Sequence, residues 1–419
     1  VEYYAEHRGD AFYLYTNVDG AVDFKIVAAP VEAPGRENWS DWVAHIPGTY
    51  IVSFTPYQDY AVILERRDAL PRLVIADYDG GRREVAFDEA AYSIGVDPGF
   101  EFDTQTLRYT YESPSTPEET YDYDMATRER RLLKQQEVPS GHDKSNYVVE
   151  RFSVTAADGA EIPVTLLRLA STPVDGTAPA VLYGYGAYGI TIPASFSTNV
   201  LSFVDRGLVY AIAHPRGGAA RGRAWYLGGK LENKMKSFTD FNAVAEALID
   251  RGYARARGVV SYGGSAGGLL VGAAVNLRPD LYAGVVAQVP FVDALNTISD
   301  GALPLTPPEW EEWGDPIRSA EAYGWMRAYS PYENIRAADY PPIMATGGLT
   351  DYRVTYWEMA KWTARLRDDA QGGPFFLRMN MGAGHGGSAA RFEQLDERAH
   401  VYAFALEALG VADAQPAAP

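Results

Sequence analysis

The sequence predicts a two-domain protein in which an all-β domain, residues 1–145, precedes an α/β domain, residues 146–419, built on a mainly parallel, doubly wound sheet. The length of 419 residues exceeds what one ordinary hydrophobic core accommodates. Runs that alternate apolar and polar residues occupy the first part, and from about Val148 buried strand runs alternate with amphipathic helical segments. This change of period places the domain boundary near residue 145.

The all-β domain is predicted from repeated tyrosine-rich runs. These runs contain Phe12, Tyr60 and Leu107, and turn residues and further strand runs separate them. The three residues are 48 and 47 positions apart, which is close to the length of one four-stranded β-propeller blade. The spacing therefore predicts a partial β-propeller of about three blades. A sandwich of hairpins stays open as the alternative, because no sharp repeat motif accompanies the period.

The α/β domain is predicted from buried strand runs separated by helical segments. One segment carries an apolar face at helical spacing, formed by Phe241, Val244, Ala245, Leu248 and Ile249. Parallel strands joined by helices bring their carboxyl ends to one edge of the sheet, where ligands of this fold class bind. The predicted strands are residues 180–183, 208–213, 258–262, 284–288 and 342–346.

Ser265 is the candidate nucleophile of this domain. It lies within Gly263-x-Ser-x-Gly267, directly after a predicted strand and directly before an apolar helix that begins near Leu269. This context is typical of a nucleophile elbow, in which a sharp turn exposes the serine and leaves no space for side chains at the flanking positions. The motif predicts a serine hydrolase with an α/β-hydrolase fold. A chance match is the alternative, which the strand-turn-helix setting disfavours.

The base and the acid that would activate Ser265 are predicted from chain order. A serine hydroxyl needs a base, usually a histidine held by a carboxylate, and in α/β-hydrolases the order is serine, acid, histidine. Two histidines follow Ser265: His400 lies in the segment 399–409, which is predicted to be the last helix, and His385 lies in a glycine-rich loop after a strand. Asp351 follows the predicted strand 342–346 at the sheet edge where Ser265 emerges. The predicted triad is Ser265, Asp351 and His385.

The oxyanion of the tetrahedral intermediate needs hydrogen-bond donors. The elbow supplies one, the backbone N–H of Ala266. A second is expected from the loop 183–189, which follows the first clear strand of the domain, where hydrolases of this class place their other oxyanion loop. An aromatic glycine turn without a chemical role is the alternative for this loop.

Together these motifs resemble those of the prolyl oligopeptidase family of serine peptidases, and within it oligopeptidase B, which cleaves short peptides after Arg or Lys. The resemblance runs over essentially the whole chain. It implies a β-propeller followed by an α/β-hydrolase domain, and hydrolysis through an acyl-enzyme on Ser265 with no metal or cofactor. The matching motifs are residues 183–189 (YGYGAYG), 216–218 (RGG), 225–226 (WY), 263–268 (GGSAGG), 288–293 (QVPFVD) and 309–314 (EWEEWG).

The resemblance also implies roles for residues that the local pattern alone leaves undecided. Tyr185 matches the tyrosine that donates its hydroxyl to the oxyanion beside Ala266. Arg353 matches the arginine that contacts the substrate backbone, although its position alone suggests a surface cation. Glu309 and Glu311 match the pair that binds a basic side chain, a task that suits two carboxylates facing one guanidinium. Without this resemblance, a cluster of glutamates is more often part of a solvent-exposed surface.

Three departures from the family pattern bear on substrate choice. Pro193 and Ser195 stand where oligopeptidase B has an acidic pair, which makes a preference for dibasic sites doubtful. Ala220, before Arg221, stands where a glutamate pairs with the arginine matched by Arg353. The family propeller has seven blades and this chain begins inside it. We therefore expect a chain without the amino-terminal part of the propeller, accompanied by a separate propeller fragment or by another cover, and the family's size limit on substrates does not carry over.

Composition bounds the remaining functions. The formal net charge of −18 argues against a nucleic-acid surface and favours cationic partners such as basic peptides, although solubility alone explains it. The absence of cysteine excludes thiolate chemistry and leaves the compartment open between cytoplasm and periplasm. No uninterrupted apolar stretch approaches the length that a membrane span requires, so no membrane role is indicated. Prolyl, acylaminoacyl, isopeptide and ester substrates stay open, as does a non-catalytic propeller-type interaction protein, although the latter predicts the loss of a triad residue.

Overall fold

The computed structural model describes residues 1–416, and its contacts divide the chain into two compact units. The first unit comprises residues 1–144, 193–198 and 219–225, and the second comprises the remainder. No helix among residues 1–416 has the length and hydropathy that crossing a membrane requires.

The first unit contains three four-stranded antiparallel sheets that follow one another along the chain. Phe12, Tyr60 and Leu107 each lie in the second strand of a sheet, so the predicted repeat of about three propeller blades is confirmed, and the hairpin sandwich is not observed. The strands are β1 (Tyr3–Arg8), β2 (Ala11–Thr16), β3 (Lys25–Pro30), β4 (Ser40–Val43), β5 (Tyr50–Pro56), β6 (Tyr60–Arg67), β7 (Leu70–Asp77), β8 (Arg82–Glu84), β9 (Ser93–Asp97), β10 (Thr106–Glu112), β11 (Glu119–Asp124) and β12 (Arg130–Gln135).

The alternating pattern of these strands buries one face of each sheet against the next. Ile26 of the first sheet shares an apolar cluster with Ile63 and Val74 of the second. Leu73 of the second sheet shares another cluster with Tyr109 of the third. Because neighbouring blades complete each other's cores, the β-rich pattern of this region produces stacked sheets rather than isolated hairpins.

The second unit is built on an eight-stranded sheet in the order β13-β14-β16-β15-β17-β18-β20-β22, with β19 and β21 paired separately. From β16 to β22 every neighbouring pair is parallel, and the two strands at the start of the order are antiparallel. The strands are β13 (Tyr147–Thr155), β14 (Glu161–Leu169), β15 (Ala180–Tyr183), β16 (Val209–Ala213), β17 (Val259–Gly264), β18 (Tyr282–Gln288), β19 (Asp339–Tyr340), β20 (Ile343–Gly348), β21 (Gln371–Gly372) and β22 (Phe375–Asn380).

Helices connect these strands, and their apolar residues are buried against the sheet. Phe241, Val244 and Leu248 are fully buried on one face of α3, as the helical spacing predicts. The last helix begins at Arg391 rather than near Ala399. The α-helices are α1 (Thr198–Val204), α2 (Arg223–Leu227), α3 (Met235–Asp250), α4 (Ala266–Leu277), α5 (Ala294–Ile298), α6 (Thr306–Trp313), α7 (Ala320–Tyr329), α8 (Trp357–Asp369) and α9 (Arg391–Ala408).

Candidate active site

Ser265 occupies a sharp turn between β17 and α4, at the carboxyl edge of the parallel strands. Its backbone has φ 57° and ψ −120°, a conformation that non-glycine residues rarely adopt and that is typical of strained functional turns. A Cβ on Gly263 would lie 2.1 Å from the carbonyl oxygen of Gly267, and a Cβ on Gly267 would lie 2.7 Å from that of Gly184. The glycines of the motif are therefore required by close backbone approach.

Asp351 and His385 are brought together at the same edge. The Asp351 side chain is fully buried, and its Oδ1 accepts the N–H groups of Arg353 at 2.9 Å and Val354 at 3.0 Å. Its Oδ2 lies 2.7 Å from Nδ1 of His385, whose side chain is 19% exposed. An ionised carboxylate only accepts hydrogen bonds, so Nδ1 carries the proton and Nε2 of a neutral His385 is left as the basic nitrogen.

Ser265 and His385 line one cavity of about 400 Å³, which also reaches strand ends of the sheet. Burial raises the pKa of Tyr185, and the nearby Ser265 side chain opposes this rise. Ala266 is the first residue of α4, so its N–H has no acceptor within the helix. The predicted nucleophile, acid, base and oxyanion donors thus gather at the end of one sheet.

Glu309 and Glu311, the pair predicted to bind a basic side chain, differ in burial. Glu309 is half-buried, and its Oε2 accepts the hydroxyl of Tyr188 at 2.6 Å and Nε1 of Trp313 at 2.8 Å. Glu311 is exposed. Glu312 shares the inward face of α6 with Glu309, because residues three apart on a helix are neighbours and residues two apart are not.

Lys234 and Glu312 form a buried ion pair next to the loop 183–189, and the sequence patterns did not predict a role for Lys234. The two side chains are 2% and 5% exposed, with Nζ 3.6 Å from Oε1. Glu312 also accepts the N–H of Tyr188 and the hydroxyl of Tyr226, and Lys234 donates to the carbonyl of Gly186 at 2.6 Å. Burial lowers the pKa of Lys234 to about 8, against the opposing effect of Glu312. Helical spacing from Glu309 could have pointed to Glu312.

Other charged residues of the matched motifs have structural partners. Arg216 binds the buried Asp240 in a bidentate pair and also contacts Asp158. Arg221 pairs with Asp68 at 3.2 Å. Arg353 is exposed on the turn that follows Asp351.

Another buried carboxylate lies next to the motif 288–293. Glu358 of α8 accepts the N–H of Asp293 at 3.0 Å and the hydroxyl of Thr297 at 2.7 Å. Burial raises the pKa of Glu358 to about 8, although these hydrogen bonds oppose it. Across residues 1–416, no three His, Asp or Glu side chains are grouped so as to hold a metal ion.

The sheet order and the elbow at its carboxyl edge define the α/β-hydrolase fold class. The same chain also contains β-propeller blades. The chain belongs to the prolyl oligopeptidase family. The family model described as "Prolyl oligopeptidase family" matches residues 194–412, and the model "Prolyl oligopeptidase, N-terminal beta-propeller domain" matches residues 1–136.

Several known proteins resemble the chain over 98% of its length. Dipeptidyl aminopeptidase BI of Pseudoxanthomonas mexicana is 47% identical over 414 residues, and Protease 2 of Moraxella lacunata is 38% identical over 410. The structure of oligopeptidase B from Leishmania major superposes with a TM-score of 0.93 at 36% identity. The resemblance stated from the motifs is confirmed at the level of the family.

The chain spans 57% of the Pseudoxanthomonas protein and 59% of both the Moraxella protein and the Leishmania structure. The expectation of a missing amino-terminal propeller needs correction, because the family's propeller model matches from residue 1 and the three blades are present. The period of the strands revealed blades but could not show which part of the family domain they match.

Proposed function

We propose that this chain carries the catalytic machinery of a serine peptidase that hydrolyses peptide bonds after Arg or Lys, with residues 146–419 as the catalytic domain. The observation that carries the proposal is the 2.7 Å contact between His385 and the buried Asp351, at the sheet edge where the strained elbow presents Ser265. Family membership supports the same reaction class.

In the proposed reaction Ser265 attacks the carbonyl carbon of the scissile bond while Nε2 of His385 takes the hydroxyl proton. Asp351 stays ionised, holds His385 in the required tautomer and stabilises the imidazolium. The N–H of Ala266 and the hydroxyl of Tyr185 donate to the oxyanion. His385 then gives its proton to the leaving amine as the C–N bond breaks. Water next attacks the acyl carbon while Nε2 of His385 takes its proton, and that proton passes to the Ser265 oxygen as the acid product is released.

The preference for a basic residue is argued from the charge of Glu309. Its hydrogen-bond partners, the Tyr188 hydroxyl and the Trp313 ring N–H, are neutral, so its negative charge is not balanced by an ion pair within residues 1–416. The neighbouring Glu312 is balanced by Lys234. A half-buried carboxylate fixed by two neutral donors is suited to a guanidinium or ammonium group of the substrate.

Glu311 is proposed as the second, more exposed carboxylate of this site. Its place on the solvent side of α6 is compatible with a group that meets the substrate only when a peptide binds. Pro193 and Ser195 supply no charge for a second basic residue, so we propose no dibasic preference.

The specificity is tested with amino-blocked chromogenic substrates that differ only in the residue before the cleaved bond. We expect arginyl and lysyl substrates to exceed prolyl, alanyl and ester substrates in kcat/KM. Glu309→Gln should reduce kcat/KM on the arginyl substrate by about tenfold to a hundredfold, since it removes a charge-assisted contact. Glu321→Gln, at an exposed position of α7, is the matched control. Faster cleavage of the prolyl or ester substrate would sink the basic preference.

A second candidate is removal of dipeptides from a free amino terminus, which is favoured by the 47% identity to a protein named dipeptidyl aminopeptidase BI. It uses the same triad and differs in requiring the α-amino group. Comparing a free with an acetylated Gly-Arg anilide separates the two. Cleavage of the free form alone would favour the dipeptidyl peptidase, and cleavage of both the endopeptidase.

A further inference from the structure

The walls of the cavity beside Ser265 and His385 do not include the proposed oxyanion donors. Its lining includes both of these residues, together with parts of β22, the glycine loop of His385 and α9. Neither Tyr185 nor Ala266 lines it, and no residue of α6 does. In the proposed reaction His385 delivers its proton to the leaving nitrogen, so the leaving group lies next to His385, which lines this cavity.

Two guanidinium groups line this cavity, Arg378 from β22 and Arg398 from α9. Arg378 contacts Asp396 through Nη2 at 3.2 Å, whereas its Nη1 is buried and has no hydrogen-bond partner. A buried donor without a partner is costly in a folded protein and is a sign of a missing ligand or solvent molecule.

Arg398 is the second cation of the wall. Arg378 pairs with Asp396, whereas no carboxylate among residues 1–416 lies within ion-pair distance of Arg398. Burial raises the pKa of Tyr262, which lies three positions before Ser265, and the positive charge of Arg398 opposes this rise. Arg398 therefore acts electrostatically on the end of the strand that precedes Ser265.

The acidic residue of the cavity lining, Glu397, is already engaged. One of its oxygens accepts the side-chain amide of Asn380, and the other accepts the N–H of Ser388 at 3.2 Å. It therefore stabilises the loop that carries His385 instead of pairing with either arginine. The cavity volume of about 400 Å³ falls within the range of small-ligand sites, about 300–1,000 Å³.

We propose that this cavity is a subsite for a carboxylate on the leaving-group side of the scissile bond, bound by Arg378 and Arg398. The inference rests on the proposed peptidase function and adds the chemistry of the departing fragment. A carboxylate of this kind is either the free carboxyl terminus of a short peptide or an acidic side chain just after the cleaved bond. Planar guanidinium groups bind both through paired N–H donors.

The test compares benzoyl-Arg-Ala-Ala as the free acid with the same peptide as its carboxyl-terminal amide. We expect the acid to be cleaved with a kcat/KM about tenfold higher, the effect of one charge-assisted contact. Amidated peptides with Glu or Gln after the arginine form the second arm and reveal whether an acidic side chain serves equally. Either preference supports the carboxylate subsite and identifies its source.

The double variant Arg378→Gln, Arg398→Gln should bring the acid-to-amide ratio close to one, and Arg391→Gln, an exposed position of α9 outside the cavity, should leave it unchanged. A ratio is insensitive to a general loss of active enzyme. Absence of all preference for an acid in both arms, or a preference that survives in the double variant, would overturn the subsite.

Binding to the Ser265→Ala variant separates this inference from the proposed function. Calorimetric titration with the two Ala-Ala-terminated peptides needs no turnover, and we expect about tenfold tighter binding of the acid. If arginyl substrates are not cleaved by the unmodified chain, the proposed specificity fails, while equal binding of acid and amide refutes the subsite independently.

Discussion

Replacing Lys234 by methionine removes the cation of the buried pair next to the loop 183–189 while keeping an apolar side chain of similar length. Glu312 would then be a buried carboxylate held only by the Tyr188 N–H and the Tyr226 hydroxyl. The Gly186 carbonyl would lose its 2.6 Å donor. Because Gly186 follows Tyr185 directly, the same change should loosen the proposed oxyanion donor.

The magnitude follows from the separation and burial of the pair. At 3.6 Å and an effective dielectric constant of about 20, the attraction between Lys234 and Glu312 is about 4–5 kcal/mol. Breaking a buried pair by removing one partner typically costs about 3–5 kcal/mol. We therefore expect Lys234→Met to lower the free energy of unfolding of the second unit by about 3–5 kcal/mol.

The assay is urea unfolding followed by tryptophan fluorescence, since Nζ of Lys234 lies 4.8 Å from the Trp313 ring centre. Lys230→Met, which removes a half-buried lysine that bonds to Tyr226, is the control and should cost less than about 1 kcal/mol. The double variant Lys234→Met, Glu312→Gln should lose only about 1–3 kcal/mol, mainly for the Gly186 carbonyl. A loss below about 1 kcal/mol in Lys234→Met, or single losses that simply add in the double variant, would refute this reasoning.

Two further perturbations test the site and its support. Tyr185→Phe should lower kcat about 10²–10³-fold with little change in KM, because the lost hydroxyl acts on the oxyanion; a change confined to KM would contradict this role. Glu358 has a folded pKa of about 8, above its unfolded value, so the native state binds the extra proton between these values and stability should fall as pH rises through them. Between pH 5.5 and pH 8, the free energy of unfolding of the unmodified chain, measured in urea, should fall by about 3 kcal/mol relative to that of Glu358→Gln. A difference in unfolding free energy that does not change with pH would exclude this titration.

The sequence predicted those features whose cause is local. The blade repeat was visible because each blade presents the same alternation, and Ser265 was visible because its elbow demands glycines at fixed spacing. The chain order of the fold then selected Asp351 and His385. These predictions needed the strand periods, the glycine spacing, the chain order of the fold and the rule that parallel strands end at one edge of the sheet.

The remaining features depend on three-dimensional burial, which a linear pattern does not contain. In the sequence Lys234 is one of three lysines within residues 230–236, and only packing makes it a buried partner of Glu312. The first turns of α9 were missed because their apolar residues do not face a core: Phe392 is 82% exposed and Leu395 is 45% exposed. Helix periodicity predicts segments that bury a face, and these turns do not.

The most direct test of the central claim is the site of covalent labelling by a fluorophosphonate probe, mapped by peptide mass spectrometry. We predict a single adduct on Ser265, its loss in Ser265→Ala, and strongly slowed formation in His385→Ala, because the base that activates the hydroxyl is gone. Circular dichroism of each variant would verify that the fold is retained. An adduct on another residue, or labelling that persists in Ser265→Ala, would contradict the assignment of Ser265 as the nucleophile.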